Sequence, residues 1–83
     1  MKIPRDVGAE ELAKLLKRYG YQITWQTGTH MRLTTNLKGE HRITIPRHKA
    51  LKVGTLNSIL SDLAKYLEVD KQVLRDELFG KGN

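Results

Sequence analysis

Residues 21–46 read YQITWQTGTHMRLTTNLKGEHRITIP, and their alternation decides the fold. Tyr21, Ile23 and Trp25 share one parity, with Gln22, Thr24 and Gln26 on the other. After Thr27-Gly28, Met31 and Leu33 alternate with His30, Arg32 and Thr34. After Asn36 to Gly39, Ile43 and Ile45 alternate with Arg42 and Thr44. A period of two marks a strand with one buried face, because successive side chains leave the backbone on opposite sides. The stretch therefore predicts three half-buried strands joined by two hairpins. The third ends at Pro46, which has no amide proton to give a ladder. Keeping the apolar residues of the first two strands on one face favours a three-residue loop, Gln26-Thr27-Gly28, with Gly28 left-handed. That register pairs Thr24 with His30 and Gln22 with Arg32. It places Trp25 in the core and sends His30 and Arg32 out from the polar face.

Outward from the strands, the pattern changes to helical spacing. On the N-terminal side, Ala9, Leu12, Ala13, Leu15, Leu16 and Tyr19 form an apolar stripe. Asp6 or Gly8 is placed to cap this helix, Gly20 to stop it, and Pro4 keeps the first residues out of it. On the C-terminal side, a basic loop over residues 46–54 leads to a second stripe, Leu56, Ile59, Leu60, Leu63, Ala64 and Leu67. Asp70 is placed to cap a short last helix carrying Val73, Leu74, Leu78 and Phe79, and residues 80–83 are expected to fray. The order is α-β-β-β-α with a short extra C-terminal helix, an α+β fold in one domain over residues 1–83. A three-stranded antiparallel sheet buries one face against helices and leaves the other open. This is the arrangement of double-stranded-RNA-binding domains, and the open face carries Gln22, Thr24, His30, Arg32, Arg42 and Thr44.

The composition narrows the partners. Lysine and arginine outnumber aspartate and glutamate 15 to 9, a net charge of +6. The excess is central, since residues 21–53 hold six basic residues against Glu40 alone. A concentrated basic field favours a polyanion, because it neutralises phosphates and releases their counterions. There is no cysteine, which removes disulfides and thiolate chemistry. His30, His41 and His48 are too far apart for a compact metal-ligand motif, so neither metal nor cofactor is expected. No apolar run is long enough to cross a membrane, and Met1 to Asp6 lack the apolar core of a secretory signal. The expected location is the cytoplasm.

Four segments in order carry a resemblance: Gly20-Tyr21; Gly28-Thr29-His30; Ile45-Pro46-Arg47-His48-Lys49; and Gly54-Thr55-Leu56 with Ile59-Leu60. Together, over roughly residues 8–67, they resemble the HicA toxin family. The resemblance implies a double-stranded-RNA-binding-like fold, metal-independent cleavage of messenger RNA and neutralisation by a cognate HicB-type antitoxin. It implies that the catalytic histidine, which follows the Gly-Ser/Thr turn in the family, is His30. The chain departs from the pattern in the longer helix after Gly54, and in Met31, where several relatives carry a second histidine or an aromatic residue.

The residues suit that chemistry. RNA is cut when its 2′-hydroxyl attacks the adjacent phosphorus, which requires a proton acceptor, a proton donor and positive charge. Imidazole, with a reference pKa of about 6.5, serves proton transfer near neutrality, and cations serve the third need. His30 is therefore the expected catalytic residue. Arg32, Arg42, Arg47, His48, Lys49 and Lys52 are expected to contact RNA. His48 is read as a phosphate contact or a loop-fixing group, with a second catalytic role as the alternative. Gly54 and Thr55 are placed either to offer amides to a phosphate or simply to begin a helix. His41 is read as structural. The competing function is a non-catalytic double-stranded RNA-binding module.

Overall fold

The computed structural model describes residues 6–80. Helix α1, Ala9–Leu16, is followed by a 3-10 turn at Lys17–Tyr19. Strands β1 (Gln22–Gln26), β2 (His30–Thr35) and β3 (His41–Pro46) form one antiparallel sheet in the order β1-β2-β3. Helices α2 (Val53–Leu67) and α3 (Lys71–Phe79) complete the chain. The α+β order α-β-β-β-α with a short extra helix is the one expected. Met31, Leu33, Ile43 and Ile45 from one sheet face, with Tyr21, join Leu12 and Leu16 of α1 and Leu56, Leu60 and Leu63 of α2 in a single core. Leu74 and Leu78 of α3 enter the same core, whereas Val73, expected in that stripe, is exposed. Pro4 and residues 81–83 lie outside the described residues.

The helix ends follow local chemistry. Gly8 is the N-cap of α1 and Gly20, at φ +83°, closes the 3-10 turn in the left-handed region. Gly8 is fixed by proximity, since a Cβ there would stand 2.5 Å from the Lys49 carbonyl oxygen. The α1 entry and the loop after β3 are indeed stitched together: the Ala9 amide donates to the His48 carbonyl at 3.0 Å, and the Leu51 amide to the Val7 carbonyl at 2.7 Å. Asp70 caps α3 as expected, its carboxylate accepting from the Gln72 and Val73 amides. Helix α2 starts earlier than expected, with Lys52 at the N-cap, so Gly54 and Thr55 lie inside its first turn. Tyr19 and Arg18 donate hydrogen bonds to the side chain and backbone of Glu77 and tie α3 to the end of α1.

The register of the first hairpin corrects the parity argument. Gln26 pairs with Met31 and Trp25 with Arg32, whereas Ile23 pairs with Leu33 and Gln22 with Thr34. The expected partners, Thr24 with His30 and Gln22 with Arg32, are not made. The difference lies at Thr24, where the register shifts between Ile23 and Trp25. A bulge inserts one unpaired residue and reverses the facing of the residues beyond it. Trp25 therefore pairs with Arg32 on the open face, 48% exposed, and β1 as a whole, Ile23 included, is exposed at the sheet edge rather than half-buried as expected. Gly28 is not left-handed either. The turn is held by Thr27, whose hydroxyl accepts from the amides of Thr29 and His30 while its own amide donates to the His30 carbonyl. That threonine bonding does what the left-handed glycine was expected to do.

Candidate active site

His30 opens β2 at the tip of this turn, opposite Pro46 of β3. Strand alternation decides its direction: Met31 is buried beneath the sheet, so His30 and Arg32 project from the open face. His30 is exposed, and its Nδ1 lies 3.0 Å from the Thr29 hydroxyl. When Nδ1 carries the proton and donates to Thr29, Nε2 is left as a base. The opposite tautomer makes Nε2 the donor. Either form is held in orientation by one neighbouring residue whose place the turn fixes.

Arg47 supports the turn from below. Its amide donates to the Thr29 carbonyl at 2.8 Å, and its guanidinium donates to the Thr27 carbonyl at 2.7 Å and meets Glu10 of α1 at 3.3 Å. One residue thus joins the β3 exit, the β1–β2 turn and α1. Much of its donor capacity is already used within the protein. Arg42 is similarly engaged, in a two-nitrogen contact with Glu40 at 2.6 and 3.0 Å. Arg32 places its guanidinium 5.1 Å from the centroid of the Trp25 ring.

His48 and Lys49 line an open cleft of about 480 Å³ together with Gly8 to Glu11, Gly28 and Arg47. Both are exposed, as is Lys52 at the α2 N-cap. The sheet therefore groups His30, Arg32 and Arg42 on its open face, while Arg47, His48 and Lys49 gather beside the turn that bears His30. Gly54 and Thr55 belong to the first turn of α2, whose leading amides have no intrahelical partner. Among the described residues no cluster of three histidine or carboxylate side chains is placed to hold a metal ion. No helix among them is long and apolar enough to cross a membrane.

His41 stands apart from this group. Its Nδ1 meets the buried Tyr21 hydroxyl at 2.7 Å and its Nε2 lies 3.5 Å from Asp62 of α2. The ring stacks on Tyr66 with centroids 4.5 Å apart. Tyr66 in turn donates to the Gly39 carbonyl and accepts from the Lys38 amide, bolting the β2–β3 turn to α2. Burial pushes the Tyr21 phenol well above the ordinary tyrosine value, with Tyr66 and Asp62 adding to the shift. Burial and then the Glu77 carboxylate raise Tyr19 to about 12.

Sequence reasoning missed the Trp25–Arg32 pair and the engagement of Arg47. For Trp25, regular alternation points to the wrong face, and no residue in YQITWQ marks the bulge. For Arg47, the partner Glu10 lies 37 residues away, beyond any local pattern. Residues 9–64 match the family described as HicA toxin of bacterial toxin-antitoxin. No curated protein and no solved structure gives a match.

Proposed function

The chain belongs to the HicA toxin family of bacterial toxin–antitoxin pairs, and from that premise we propose that it is a metal-independent endoribonuclease acting on messenger RNA, with His30 as its general acid–base. The observation that carries the reading is His30 itself: the one histidine that stands exposed on the open sheet face, oriented by Thr29 and on the same strand face as Arg32. In this mechanism His30 Nε2 takes the 2′-hydroxyl proton as the oxygen attacks phosphorus. The bond to the 5′-oxygen of the next nucleotide breaks, leaving a 2′,3′-cyclic phosphate and a 5′-hydroxyl. The imidazolium so formed is the proton source for the departing oxygen. Arg32 supplies positive charge toward the phosphorane, which is the electrostatic part of the catalysis. Lys49 and Lys52, with His48, carry the RNA backbone past the turn. Arg42 contributes charge, Arg47 contributes charge while bracing the turn, and the first turn of α2 at Gly54-Thr55 offers amides to a phosphate.

A freely active ribonuclease endangers its own cell, and among the described residues no segment covers the exposed His30. In this reading a HicB-type antitoxin supplies the control, covering the basic face and the loop at 46–54 with an acidic surface that charge steers into place.

Incubation of the protein with single-stranded RNA in excess chelator tests the proposal. Fragments ending in cyclic phosphate, absent with His30→Ala, are the expected result. Binding without cleavage by the native chain would instead identify a non-catalytic RNA-binding module.

A further inference from the structure

The bulge at Thr24 sets Trp25 opposite Arg32, on the open face of an edge strand whose residues are all exposed. Trp25 stands 48% exposed on the open face, although burial of so large an apolar side chain is favourable. It is not left bare: the Arg32 guanidinium lies 5.1 Å from the ring centroid, a cross-strand cation–π pair. An aromatic plane joined to a cation offers what a nucleotide requires, a π-face for the base and positive charge for the phosphate. The position matters as much as the chemistry. Arg32 follows His30 by two residues on β2, on the same face, an advance of about 6.5 Å along the strand. A base resting on Trp25 would thus belong to a nucleotide next to the phosphate at His30.

Resting on RNA as the ligand, we infer that Trp25 and Arg32 form a stacking subsite that holds one unpaired base beside the cleaved bond. Trp25 is a positioning residue: it fixes the 2′-hydroxyl against His30 without touching the reacting atoms. The subsite selects single strands, because a base within a duplex has both faces covered by its neighbours.

Trp25 is the only tryptophan in the chain, so its fluorescence reports on the subsite directly. The probe is a 2′-O-methyl oligoribonucleotide, which lacks the attacking hydroxyl and stays intact on the native protein. A terminal dye on the same probe gives affinity by anisotropy, independently of the indole. The expected result is quenching of Trp25 that saturates with the anisotropy curve for the single strand and not for its duplex. Trp25→Leu, which keeps an apolar side chain but no π-face, should weaken single-strand binding about tenfold or more, and Trp25→Phe should recover most of the loss. Trp25→Leu should also lower the rate at saturation and raise KM for a cleavable strand, because the 2′-hydroxyl is no longer held against His30. Binding with unchanged fluorescence and equal affinity for Trp25→Leu would overturn the subsite and leave RNA binding standing. Absence of any anisotropy change with the native chain would overturn both. Undiminished RNA affinity in Trp25→Leu with loss of binding to a purified antitoxin would overturn the subsite and assign Trp25 to a protein interface.

Discussion

His30 and His41 stand at opposite ends of the β2–β3 ladder, and their surroundings differ in every respect but residue type. His41 is partly buried, with Tyr21 on one ring nitrogen, Asp62 on the other and Tyr66 against its face. His30 is exposed, with one side-chain contact, to its neighbour Thr29. At the His41 end the polar groups are used to close the fold. At the His30 end a ring nitrogen remains available to a ligand. The contrast teaches that a histidine is reactive by what its surroundings leave unused, and substitutions at the two ends strain that distinction.

The largest expected effect is on the exposed ring. His30→Ala should lower RNA cleavage by about 10²–10⁴-fold, the usual worth of a general acid–base. Its melting temperature should stay close to that of the native chain, since Thr29 alone loses a partner. Comparable loss of cleavage in a fully folded His41→Ala protein would erase the contrast.

The second effect is the mirror image. His41→Ala strands the buried Tyr21 hydroxyl, whose side-chain partner it is. Denaturant unfolding should show a loss of about 1–3 kcal/mol, the cost of an unsatisfied buried polar group. Cleavage per folded molecule should be retained.

A third test concerns the loop beside His30. Lys49→Ala with Lys52→Ala should flatten the salt dependence of single-strand binding by about 1.4 in log–log slope, roughly 0.7 for each phosphate no longer neutralised. Arg47→Ala should behave differently, because its guanidinium is tied to Thr27 and Glu10. It should lower the melting temperature as well as affinity, and a purely electrostatic response would show that the clamp is dispensable.

The smallest effect belongs to the opposite end and emerges only in alkali. Tyr19 and Tyr21 both have raised pKa values, Tyr19 to about 12, so the folded chain favours their neutral phenols. Their contribution to stability is whole below the ordinary tyrosine value of 10.0 and is lost as pH rises above it, that of Tyr19 by about 12. Thermal melts across that range should fall, and Tyr19→Phe should make the fall shallower. An identical decline in the variant would assign it to other groups.

Much of this architecture is legible in the sequence because it is local. Period-two alternation over residues 30–35 and 41–46, the helical stripes of α1 and α2 and the Asp70 cap each depend on neighbours a few residues apart, and each agrees with the structure, as the α3 stripe does apart from Val73. The Gly-Thr-His turn is legible as well, though not the threonine bonding that holds it. Alternation places side chains only while pairing is regular, and the unpaired Thr24 breaks that condition, which is why alternation alone assigns Trp25 to the core. The engagements of Arg42 and Arg47 differ in range. Glu40 is close enough to Arg42 for a local pattern to suggest the pair, whereas Glu10 reaches Arg47 only through the packing of α1 beside the hairpin.

The Arg47 clamp also orders events during synthesis. The turn that carries His30 is secured by backbone and guanidinium bonds from a residue 17 positions later, and the start of α1 is secured by carbonyls and amides at residues 48 and 51. None of these bonds can form until residues 47 to 51 have left the ribosome. A nascent chain halted with residue 30 but not residue 47 emerged displays His30 without the brace behind it.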